Sequence, residues 1–143
     1  MRTHRWPLIV SMMLLLAAAS GCSFTTANIS SLKLSKSEDG SNETNTFAPS
    51  DMIYARANVS NVPSKITLKW QLFTEKVAGQ PENAPVPKFD TSVQLEHDGT
   101  GTYSLTPSPK GWPPGNYRID VSMLIESGEQ KDQKSIKFTV VAP

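Results

Sequence analysis

Apolar residues alternate with polar ones along most of the chain. The run from Tyr117 places Tyr117, Ile119, Val121, Met123 and Ile125 at every second position, with Arg118, Asp120 and Ser122 between them. A period of two means a strand with one face buried and one face wet. Ile66, Leu68, Trp70 and Leu72 repeat the pattern against Lys65, Thr67, Lys69 and Gln71, giving a strand with a central Trp. Ile53, Ala55, Ala57 and Val59 form another, and Phe89, Thr91, Val93 and Leu95 a fourth. Leu32 and Leu34 begin the series, Thr102 to Thr106 adds a short strand, and Ile136, Phe138 and Val140 close it. Nowhere from Cys22 onward does a stripe of helical period run for a useful length. Seven strands and no helix are therefore expected.

The connections carry turn chemistry. Asn61-Val62-Pro63-Ser64 reads as a turn, Asp98-Gly99 as a hairpin-type turn, and Ser127 to Gln133, with Gly128, as a hairpin loop. Ser35 to Pro49 is almost wholly polar and on composition is a long loop. Lys76 to Lys88 holds Pro81, Pro85 and Pro87 without periodicity and reads as an extended loop. In Trp112-Pro113-Pro114-Gly115-Asn116-Tyr117, two prolines remove backbone donors and Gly115 permits a sharp entry into the next strand. A tight turn followed by Tyr near the start of a long strand is the pattern of a tyrosine corner.

These features resemble the immunoglobulin-like Greek-key β-sandwich, in which the third strand carries a buried Trp, here Trp70. Ala and Ile stand where that fold often has its paired cysteines. The resemblance is thus to disulfide-free sandwiches such as fibronectin type III and bacterial immunoglobulin-like domains, over roughly residues 29–141. A narrower resemblance is to bacterial lipoproteins with one such domain. It rests on Phe47, Pro49, Asp51 and Ile53, then Trp70, then Trp112, Pro113, Gly115 and Tyr117, then Phe138, Thr139 and Val140. That group implies no common activity.

The N-terminus has a different character. Arg2 and Arg5 precede an almost unbroken apolar run from Leu8 to Ala19, too short to span a bilayer and of the length of an export signal. The run ends in Ala19-Ser20-Gly21-Cys22, which resembles the lipobox of bacterial lipoproteins, with Ala19 where Leu is usual. The resemblance implies cleavage before Cys22 and diacylglycerol on its thiol. As the only Cys in the chain, Cys22 has no internal disulfide partner, and lipidation accounts for it. Two or more acyl chains hold a protein stably at a membrane without a spanning helix. By the same resemblance, Ser23 favours the outer membrane if the source is Gram-negative. The expected organisation is a signal peptide over 1–21, a lipidated Cys and tether over 22–28, and a sandwich over 29–143.

Charge narrows the partners. Removing residues 1–21 takes Arg2 and Arg5 from 14 Lys and Arg, leaving 12 against 13 Asp and Glu. A nearly neutral chain lacks the basic footprint of a nucleic-acid binder. His97 is the only His after residue 21, so neither a nitrogen and sulfur metal cluster nor a Gly-x-Ser-x-Gly hydrolase elbow is in sight. No cofactor, metal or catalytic residue is expected, and the chain does not read as an enzyme. Trp70 and Tyr117 fall in core register, which leaves Phe73, Phe89 and Trp112 as candidate ligand contacts. The expectation is a membrane-anchored envelope protein with a non-catalytic binding or assembly role, meeting another envelope protein or a cell-wall glycan. A carbohydrate-binding module using the three aromatics is the alternative. Strand addition to a peptide, as by an inhibitor or chaperone, is the weaker one. The loops over 35–49 and 76–88 are the surfaces singled out.

Overall fold

The computed structural model describes residues 26–143. The expected signal peptide and Cys22 lie outside them, as does most of the expected tether. Among the described residues the strands are β1 (Asn28–Ser35), β2 (Thr46–Phe47), β3 (Ile53–Ser60), β4 (Ile66–Val77), β5 (Ala84–Pro85), β6 (Thr91–Leu95), β7 (Gly99–Leu105), β8 (Gly115–Ile125) and β9 (Gln130–Val140), and no helix occurs. Seven strands were expected; the two further segments, β2 and β5, are two residues each.

The strands form two sheets in a sandwich-like arrangement. One has the order β1-β3-β7; the other runs β2-β9-β8-β4-β5, with β6 also paired to β4. The inward residues are those the alternation marks. Ile53, Ala55 and Ala57 of β3 and Leu68, Trp70 and Leu72 of β4 are fully buried, as are Ile119, Val121 and Met123 of β8. Trp70 stacks on Tyr103 of the opposite sheet at 5.2 Å between ring centroids, and Tyr117 stacks on Phe138 at 5.1 Å. The Tyr117 hydroxyl donates to the Pro113 carbonyl at 2.6 Å, the bond that defines a tyrosine corner.

Four connections differ from the sequence reading. Residues 35–49 are held by side-chain bonds that composition does not reveal. The buried Ser35 hydroxyl bonds the carbonyls of Ser37 and Ser41, and the Ser37 amide donates back to it. Thr46–Phe47 then pairs in parallel with the end of β9, which buries Phe47 completely. In the second loop, β4 runs on to Val77, and Ala84–Pro85 pairs with Phe73–Thr74. Asp98-Gly99 is not a hairpin turn: β6 and β7 belong to different sheets, and Asp98 accepts the Val62 amide at 2.7 Å across the crossing. The β8–β9 hairpin is tighter than expected, closed between Ile125 and Glu129.

Candidate ligand-binding pocket

The prolines that end regular pairing also build a site. Past Val77 the chain turns at Gln80 and returns as β5, where the Val86 amide donates to the Leu72 carbonyl at 2.8 Å. The Thr74 side chain, buried by a bulge between Thr74 and Lys76, donates its hydroxyl to the Pro81 carbonyl at 2.9 Å. The loop is thereby stapled to β4 at both ends. Opposite it stands the turn before β8. There the Trp112 amide donates to the Pro49 carbonyl at 2.8 Å, and its indole N–H donates to the Asp51 carbonyl at 2.9 Å. Gly111, at φ +80°, allows this approach, because a Cβ there would lie 2.9 Å from the Pro49 oxygen.

Between loop and turn lies a pocket of about 440 Å³, walled by Pro85, Val86, Phe89, Trp112, Pro113 and Tyr117. That volume falls within the range of small-ligand sites. None of the described residues lining it is charged. Four of its polar side chains are already engaged, Thr74 with Pro81, Trp112 with Asp51, Tyr117 with Pro113, and Ser108 with the Gly111 carbonyl, which leaves the exposed Gln80. Burial pushes the Tyr117 hydroxyl up to about 12, so it stays a protonated donor. Tyr103 is raised too, by burial and then by the charge of Asp90, and its hydroxyl holds the Phe89 carbonyl. The arrangement offers apolar contact and few free hydrogen bonds.

The three candidate aromatics divide. Phe89 and Trp112 meet in this pocket, 5.6 Å between ring centroids. Trp112 is only 6 % exposed, so Phe89, partly buried, is the more accessible wall. Phe73 lies on the outer face of β4, with the Arg118 guanidinium 4.4 Å over its ring. Burial alone would lower the affinity of Arg118 for its proton, but Asp120 at 2.8 Å and Glu75 at 3.0 Å outweigh that and hold the charge in place. Phe73 is thus roofed by an ion-pair network and does not join the pocket. Pro113 was marked in the sequence only as part of the turn before Tyr117, and Thr74 and Val86 were not singled out. The cluster of Pro81, Pro85 and Pro87 was the signal available for them.

No family model matches the chain, and no curated protein matches it. Among solved structures, the soluble domain of PmoD from Methylocystis sp. ATCC 49242 (Rockwell) aligns over 82% of this chain and 92% of its own, at 12% identity and a TM-score of 0.46. A β-glucosidase from Listeria innocua, in complex with glucose, aligns over 82% of this chain at 16% identity and a TM-score of 0.48. One from Kluyveromyces marxianus aligns over 84% at 14% and 0.38. The aligned region is 16% of each β-glucosidase chain.

Proposed function

We propose that the chain is a lipid-anchored protein of the bacterial cell envelope with a non-catalytic binding role. In this reading its domain is an immunoglobulin-like Greek-key sandwich of the fibronectin type III kind. The observation that carries the binding role is the pocket between the Pro-rich loop and the Trp112 turn. It is preformed, uncharged and has its main polar wall groups satisfied, so it suits a neutral, apolar group of a partner rather than an ion or a sugar. The carbohydrate alternative draws less support, since Trp112 is nearly buried and Phe73 is roofed by Arg118. A sugar site needs an open aromatic platform with free hydrogen-bonding groups beside it.

The anchor reading rests on Cys22 and gives the pocket a direction. Asn28 pairs with Ser60, at the end of β3 opposite Ile53, whereas Trp112 bonds Asp51 just before Ile53. The chain thus enters the domain at the pole away from the pocket. The six Cα–Cα steps from Cys22 to Asn28 would reach about 20 Å if extended. A lipidated Cys22 therefore presents the pocket away from the membrane.

An environment-sensitive apolar dye tests the pocket. Dye fluorescence is expected to rise on binding the wild type and to fall about tenfold in apparent affinity with Val86→Asp, which puts a charge in the wall. Retention on insoluble cell-wall polysaccharide, lost with Phe89→Ala, would instead favour the glycan reading. No dye binding by a folded wild type would remove the pocket from the account.

A further inference from the structure

The two sheets are unequal in width. Level with the first half of β4, the larger sheet runs β9-β8-β4-β6, while the smaller has β1-β3-β7. On one flank β1 lies against β9, where the Ile29 amide donates to Asp132 at 2.8 Å. On the other, β7 lies beneath β4, with its far side reaching the Leu95 side chain of β6: Tyr103 stacks on Trp70, and a Cβ on Gly101 would come within 2.5 Å of the Leu68 side chain and 4.0 Å of Leu95. β6 therefore projects one strand beyond the smaller sheet. Its inward residues show the consequence. Val93 and Leu95, paired with Leu68 and Ile66, are only partly buried, while Leu68 and Ile66 are 0 % and 1 % exposed.

The flanks also differ in chemistry. Lone edge strands are usually blunted with lysine, proline or a bulge. The β1/β9 flank has all but proline: Lys33, Lys131, Lys134 and Lys137, and a bulge between Ile29 and Ser31. The seven residues of β7 (GTGTYSL) and the five of β6 (TSVQL) contain no charge and no proline, and each strand pairs without a register shift.

We propose that the β7 edge accepts an extended segment of a partner polypeptide by strand addition, seated in the notch beneath β6. The proposal rests on the reading of the chain as a non-catalytic binding protein and supplies the class of its partner. The added strand would pair its backbone with β7 and place alternate side chains against Val93 and Leu95. The segment is therefore uncharged, with apolar residues at every second position. A second copy docked edge to edge does not fit, because its own β4 would occupy the space that β6 fills.

Hydrogen exchange of the full mature chain tests this, using a neutral peptide of alternating Val and Thr and a scrambled control. The alternating peptide is expected to slow exchange in residues 99–105 by about tenfold, with no change in β1 or β9. Val93→Lys, a charge in the notch, is expected to abolish the effect; if that variant does not fold, Val93→Ala should weaken it severalfold. Absence of protection at millimolar peptide, or equal protection by the scrambled control, overturns the proposal. So does equal protection in folded Val93→Lys. Lipidation is read separately by mass. An acylated protein without β7 protection leaves the envelope reading standing and removes the notch, while protection in an unacylated protein does the reverse.

Discussion

At the residue scale, Trp70 anchors the core and Asp51 the turn that walls the pocket. Trp70 is fully buried and stacked on Tyr103, yet its indole N–H has no partner among the described residues. Trp70→Ala is therefore expected to cost about 3–5 kcal/mol, as large-to-small core changes do. Trp70→Phe should cost much less, since it also removes an unpaired buried donor; chemical denaturation of both variants checks this. Asp51 supports the pocket from behind. Its carboxylate accepts the Ala48 amide at 2.7 Å and pairs with Lys36 at 3.0 Å, and its carbonyl receives the Trp112 indole. The Ala48 bond, aided by Lys36 against the opposing effect of burial, holds the Asp51 carboxyl below its usual range. A lowered folded-state value adds stability that is present above the unfolded value and is lost as pH falls through the folded one. Asp51→Asn keeps a neutral acceptor but removes the charge. It should destabilise the protein at pH 7, and melts taken at falling pH should show the difference from wild type shrinking below about pH 4.

At the element scale, alternation made the long strands readable, and side-chain contacts decided the rest. β3, β4 and β8 bury one face each, so period two stands out in their residues. β2 does not, because a two-residue strand has no period; it exists because Phe47 fills the core and β9 offers free backbone beside it. The Asp98-Gly99 dipeptide suits a hairpin equally well as a crossing, and only the pairing of β6 with β4 separates them. The start of β8 was legible through Gly115. At φ +149°, with a Cβ placed 2.5 Å from the Lys76 carbonyl, this position tolerates no side chain. Gly115→Ala is expected to cost more than about 1 kcal/mol and to lower the melting temperature by several degrees, as read by calorimetry.

At the scale of the whole molecule, the sheet strands and core residues were largely written in the sequence, and the pocket only in part. Trp112 and Phe89 were visible as aromatics beside turns, but their meeting depends on a loop fold fixed by Thr74 and Pro81. Phe73 looked equivalent until Arg118 was found above it, a contact between strands that sequence spacing does not encode. The overhang of β6 was also hidden, since strand periodicity carries no information on which sheet a strand joins. The proposed attachment through Cys22 would give the pocket its direction: a short tether entering opposite it would turn the site outward from a membrane.

Intact-mass measurement of membrane-extracted protein, wild type beside Cys22→Ala, tests this most directly. The expected result is a wild-type mass equal to residues 22–143 plus acyl chains, absent from the variant. An unacylated wild-type mass would contradict it and leave a sandwich with a free N-terminal thiol.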